Sequence, residues 1–221
     1  MTEAIYLQSD EIKAVLAMGG VKALFCFDEI MKAADTREAI LDACCRLMAD
    51  GLMTQIDGKY RLRKDVFDVL YPISQAAYAL VLTSSDTARG QVILYIGKDI
   101  SAIRQTPFGG FYLQALTREE TVTYITEQLA PDLSEAPTRA DREPSGLRPD
   151  TPVETLMETS DFLMEKVCLQ SRQRQSWVRC VQWDFFPWLE RCDADGITTE
   201  PMTEEAFCKA IHDLTEGANK G

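Results

Sequence analysis

A single imidazole limits the chemistry this chain can perform. His212 is the only histidine in 221 residues. Nucleophilic catalysis by Ser or Cys needs a base beside the nucleophile. His212 would have to be that base, and Cys208, four residues earlier on a predicted helix, is its nearest nucleophile. No serine stands in a Gly-x-Ser-x-Gly elbow, and no His-Glu-x-x-His or phosphate-loop pattern occurs. The pairs Gly19-Gly20 and Gly109-Gly110 do not form a dinucleotide fingerprint. The expectation is a non-enzyme with no catalytic residue and no cofactor.

Metal chemistry is the next possibility. There are seven cysteines, at positions 26, 44, 45, 168, 180, 192 and 208, and none forms a Cys-x-x-Cys pair. Zinc accepts a Cys₃His set, and Cys180, Cys192, Cys208 and His212 could be drawn as one. Their spacing matches no common zinc module. The cysteines read instead as small buried hydrophobes in a reducing compartment, and no metal is expected.

Binding chemistry remains. Lys59, Arg61, Arg63 and Lys64 form a basic run suited to phosphate contacts. The helix before them, 36–49, would be the reading helix of a DNA-binding module. Base readout needs Arg, Lys, Asn or Gln on its exposed face, yet it offers mainly Ala, Cys, Leu and Met. Residues 1–70 hold nine Lys plus Arg against twelve Asp plus Glu, and the whole chain carries a net charge of -12. Counterion release from phosphates needs the opposite balance. Nucleic acid is therefore not the expected partner; a protein is.

Two aromatic sets could contact one. If 176–186 is a single strand, Trp177, Arg179, Val181, Trp183 and Phe185 share a face. They read either as core or as a partner patch, since Trp and Arg dominate interface hot spots. Trp177, Arg179 and Trp183 are the first candidates. The run 107–111 places Phe108 and Phe111 around a Gly-Gly tip; they either insert into a partner or fold back onto a sheet.

These residues need elements to position them. Residues 9–17 predict a helix capped by Ser9 or Asp10, and 27–34 a second. A third opens at Asp35, with Glu38 completing a capping box, and ends at Gly51. Asp57-Gly58 then turns a hairpin, 52–56 against 59–62. This is the outline of a winged-helix module, followed by a helix over 66–73 stopped by Pro72. The pattern changes to strands at 77–84, 91–98, 101–106 and 110–116. A capping box at Thr117 and Glu120 opens a helix over 118–129. Residues 131–152 have no apolar period and read as a flexible linker. Strands return at 161–170, 176–186, 187–193 and 196–202, and a helix runs from Thr203 to about 215. The runs LTREETVTYI and MTEEAFCKAI place strands-plus-helix units twice.

That order of elements resembles the EspG family, the cytosolic chaperones of type VII secretion. SDEIKAVLAMGG is similar to its opening helix, REAILDACCRLMADGLM to its leucine-rich segment, and YRLRKDVFDVLYPISQAAYALVL to its passage into the first strand. The twice-repeated unit, ending in TREETVTYITEQL and TEEAFCKAIHDL, fits its two related halves. Only VETLMET precedes the second set of strands, a shorter helical section than the family has. The resemblance implies a central antiparallel sheet flanked by helices, and a protein that binds the tip of a helical secreted substrate.

The expected fold is α+β, with a winged-helix-like module over 1–73, strands plus a helix over 74–130, a linker over 131–152, and a second such unit over 153–221. A pseudo-two-fold relates the two units. No apolar run reaches the roughly 18–20 residues of a membrane span, and the N-terminus lacks a basic, apolar leader, so the expected location is cytoplasmic. The expected function is a protein-binding adaptor or chaperone. The alternative is a winged-helix regulator with a C-terminal ligand-binding or dimerisation domain. The oligomeric state is open.

Overall fold

The computed structural model describes residues 3–21, 24–25, 27, 36–133, 144–148 and 150–216. The expected second helix, 27–34, lies outside the described residues apart from Phe27, as does half of the expected linker. Six helices are described: α1 (Ser9–Met18), α2 (Arg37–Ala49), α3 (Lys64–Gln75), α4 (Arg118–Leu129), α5 (Val153–Met157) and α6 (Glu204–Glu216). Eleven strands accompany them: β1 (Ile5–Leu7), β2 (Met53–Ile56), β3 (Lys59–Leu62), β4 (Tyr78–Ser84), β5 (Val92–Ile96), β6 (Ile100–Gln105), β7 (Phe111–Leu116), β8 (Ser160–Cys168), β9 (Arg174–Trp183), β10 (Phe186–Asp193) and β11 (Gly196–Pro201). The class is α+β. No helix of the described residues is long and apolar enough to cross a membrane.

Nine strands form one antiparallel sheet in the order β1-β7-β6-β5-β4-β8-β9-β10-β11, and β2 and β3 pair separately. Each half is a four-strand meander, and the first strands of the two meanders pair at the centre, Val81 opposite Glu165. A helix follows each meander. This places β4–β7 with α4 and β8–β11 with α6 about a pseudo-two-fold axis between β4 and β8. β1 is an extra edge strand of three residues, too short for an alternation to show it in the sequence.

One face carries α4 and α6. Tyr124, Ile125 and Leu129 of α4 and Phe207, Ile211 and Leu214 of α6 bury against Leu80, Leu94, Met164 and Leu189, so both halves share this core. α4 opens with the expected box: Thr117 accepts from Glu120 N–H, and the Glu120 carboxylate accepts from Thr117 N–H. α6 opens on Thr203, whose hydroxyl accepts from Ala206 N–H.

The opposite face is covered differently in the two halves. Over β4–β7 lie α1, α2 and α3, with Ile12, Leu16, Leu47 and Leu70 packed on Ile93, Tyr95 and Ile103. Over β8–β10, among the described residues, lie α5 and the segment around Leu147, with a small core of Leu156, Leu163, Trp177 and Cys192.

Several boundaries differ from expectation. Gln8, not Ser9 or Asp10, caps α1, boxed with Glu11; β1 ends at Leu7, and the helix begins at Ser9, earlier than either expected cap allows. Thr36, not Asp35, caps α2 and accepts from Ala39 N–H. Pro72 sits inside α3 and does not stop it. It falls in the last turn, where few backbone bonds remain to be lost, and its ring is buried. The strand expected over 176–186 ends at Trp183, and a turn at Asp184-Phe185 intervenes before β10.

Candidate protein-binding rim

Strand directions decide which loops share an end of the sheet. β4 and β6 run one way, β5 and β7 the other; β8 opposes β4, so β9 runs with β4 and β10 against it. The β6–β7, β4–β5 and β9–β10 connections therefore emerge on one rim. Hydrogen bonds agree: Ser9 at the start of α1 donates to the Gly109 carbonyl, and Ser85 N–H donates to the Asp161 carbonyl.

Two phenylalanines stand on this rim in full solvent. Phe108 is 98% exposed in the β6–β7 connection, and Phe185 is 96% exposed in the β9–β10 turn. Five strand spacings separate the two connections, about 24 Å at roughly 4.8 Å each. Between them the β4–β5 connection and the end of α4 enclose an open polar recess of about 260 Å³, lined in part by Asp86, Arg89, Asp161 and Gln182. Arg89 braces it, bonding the Asp86 carboxylate at 3.1 Å and the Gln128 carbonyl at 3.0 Å. Gly90 is required there: a Cβ would lie 2.1 Å from the Gln105 carbonyl.

The β9–β10 turn is strained in an informative way. Two-residue hairpin turns of the commonest type need positive φ at both central residues, which favours Asn-Gly and Asp-Gly. The β2–β3 turn obeys, with Asp57 at φ 51° and Gly58 at φ 74°. The β9–β10 turn uses Asp184 at φ 51° and Phe185 at φ 67°. A left-handed aromatic residue costs about 1–2 kcal/mol. The burial core gains nothing from it, since the ring faces water. The strain is not offset by burial, which makes Phe185 a candidate functional residue. The sequence reading placed Phe185 on a strand face and missed this.

Trp183, 44% exposed, sits at the base of that turn, edge-on to buried Trp188 with ring centroids 5.8 Å apart. The other sequence candidates go elsewhere. Trp177, Arg179, Val181 and Trp183 do share a face, but α5 and the 144–148 segment cover Trp177 and Arg179. Trp177 and Phe111 are fully buried, so neither touches a partner in this conformation.

Arg179 is 3% exposed and Glu190, its cross-strand neighbour, 0%. Arg179 Nε and Nη2 reach one Glu190 oxygen at 2.7 and 2.6 Å. Arg179 Nη1 donates to the Leu156 carbonyl at 3.0 Å. Ser145 adds its N–H and hydroxyl to the Glu190 carboxylate at 2.8 and 2.9 Å. Burial pushes the Glu190 carboxyl up, but the Ser145 N–H and the guanidinium outweigh it and hold it below the ordinary value. The pair pins Ser145 and the end of α5 to the sheet.

The basic run does not form a phosphate surface. Arg63 binds Asp65 through two bonds of 2.6 and 2.7 Å, and Lys64 binds Asp68 at 2.6 Å. Lys59 and Arg61 remain on the exposed β3. The residues drawn as a zinc set are dispersed: Cys180 lies in the α4/α6 core and Cys192 on the opposite face. Burial, then Asp161, pushes the Cys180 thiol up to about 12. His212 is exposed on α6. Among the described residues no group of three His, Cys, Asp or Glu could hold a metal ion.

No protein-family model matches the chain, and no curated protein does. A solved structure does: that of the Mycobacterium tuberculosis type VII secretion system chaperone EspG5 in complex with a PE25-PPE41 dimer. The match covers 99% of this chain and 98% of that one, with a TM-score of 0.62 and 8% sequence identity. The fold is EspG-like. At such low identity the likeness is one of architecture, from end to end of both chains.

Proposed function

We propose that this protein is a non-enzymatic adaptor or chaperone that binds a helical protein at the rim carrying Phe108 and Phe185. The observation that supports it most is the pair of solvent-exposed rings, one held in a strained turn, on a fold shared with a secretion chaperone. Burying a phenylalanine contributes about 2 kcal/mol, so two tips supply a substantial part of a micromolar affinity, about 8 kcal/mol. Their separation also suits a pair of helices. Two helices packed 8–10 Å apart, each about 10 Å wide, span about 20 Å, and tips about 24 Å apart can straddle their end. In this reading the polar recess between the tips meets polar groups at the partner's helix ends, and type VII secretion is the pathway. The net charge of -12 keeps the unloaded protein soluble despite its exposed rings. The cytoplasm is where such a protein would meet its cargo before export.

The test is co-purification from the source cell with the native protein and with Phe108→Ser/Phe185→Ser. A helical exported protein recovered with the native chain and lost from the double variant supports the reading. Equal recovery with both chains refutes the rim. The regulator alternative keeps no specific support, because Asp65 and Asp68 neutralise half of its basic run.

A further inference from the structure

At the end of the sheet opposite the aromatic rim, α3 passes over the β5–β6 turn and the junction of β7 with α4. An open groove of about 590 Å³ lies there. Its floor is Ile100, Ala115 and Leu116, and one wall is Phe67 and Tyr71 of α3. These rings are i and i+4 on the helix, half-exposed, and stacked 5.9 Å apart at 27°. An aromatic pair left in water over an apolar floor is a surface for a ligand. The charges select which one. Among the described residues the lining holds Asp68, Asp99 and Glu120 and no basic side chain. Asp68 is engaged by Lys64 from outside, and Glu120 caps its own helix. The Asp99 carboxylate has no ion pair among the described residues. The one nearby guanidinium, Arg118, turns away to the Thr215 and Gly97 carbonyls.

We propose that this groove is a second docking site, which takes an arginine or lysine side chain of a protein partner flanked by aliphatic residues. The cation lies against the Phe67 and Tyr71 faces, where ring quadrupoles attract it, and its charge meets Asp99. Flanking methylenes cover Leu116 and Ile100. The net charge of -12 adds long-range attraction for a basic segment. The groove is independent of the rim, so each can fail alone.

The experiment is a titration of the full chain with acetyl-Leu-Arg-Leu-amide and with its citrulline counterpart, which keeps the shape and loses the charge. Resonances of Phe67, Tyr71 and Leu116 are followed by NMR. Saturable shifts are expected with the arginine peptide, with a dissociation constant on the order of 1 mM. Binding about five-fold weaker is expected with citrulline and with Asp99→Asn, and loss with Phe67→Ser/Tyr71→Ser, whose folding is checked by the unchanged resonances of the aromatic rim. Equal shifts for the two peptides, shifts centred elsewhere, or none at millimolar peptide overturn the proposal.

Discussion

Arg179→Met should unfold much of this protein, although the sequence offers Arg179 as a surface contact. The change leaves Glu190 at 0% exposure without its guanidinium partner. It also removes the donor to the Leu156 carbonyl. Breaking one side of a buried ion pair costs about 3–5 kcal/mol. That is a large share of the roughly 5–15 kcal/mol that keeps a domain folded. Replacing both partners is different, because two apolar side chains of similar volume leave no uncompensated charge. Arg179→Met/Glu190→Leu should therefore recover much of the loss, with a coupling energy of about 2 kcal/mol or more. Urea unfolding followed by tryptophan fluorescence reads Arg179→Met, Glu190→Leu and the double variant, since Trp177 and Trp188 are buried beside the pair. A single-variant loss under about 1 kcal/mol, or strictly additive losses, would refute the assignment of this pair to the core.

Three further outcomes follow from named features. Phe185→Gly should raise stability by about 1 kcal/mol, because it relieves a left-handed aromatic residue, while weakening partner binding about 30-fold; a destabilised variant would contradict the strain argument. Glu190 titrates below the ordinary carboxyl value in the folded chain. Its contribution is present above the unfolded value, near 4.3, and is lost as pH falls through the folded value. Glu190→Gln should flatten that acid limb of the stability profile. Arg63→Gln/Lys64→Gln should leave any residual DNA affinity and its salt slope unchanged, as both charges are already paired; a slope reduced by about two in a gel-shift series would reinstate the regulator reading.

Local signals were readable wherever the chemistry sits within a few residues. Thr117 with Glu120, Thr203 before Glu204-Glu205, and Asp57-Gly58 each announce their element because capping and positive-φ turns depend on near neighbours. Features set by distant chain were not. The alternation of β9 puts Trp177, Arg179 and Trp183 on one face, but a separate segment, α5 with Ser145, decides which of them solvent reaches. The turn at Asp184-Phe185 was invisible because turn chemistry predicts glycine where phenylalanine stands. The same departure underlies the proposed rim, because Phe185 violates its local preference without adding to the core.

The most direct test of the rim is photocrosslinking in the source cell. Benzoylphenylalanine replaces Phe185, then Phe108, with the half-exposed Tyr60 of the separate β2–β3 hairpin as the control. Both rim positions should give one shared adduct, a helical protein destined for export, and position 60 should not capture it. No adduct at either rim position, or different unrelated adducts at the two, would contradict the claim that these tips grip one partner.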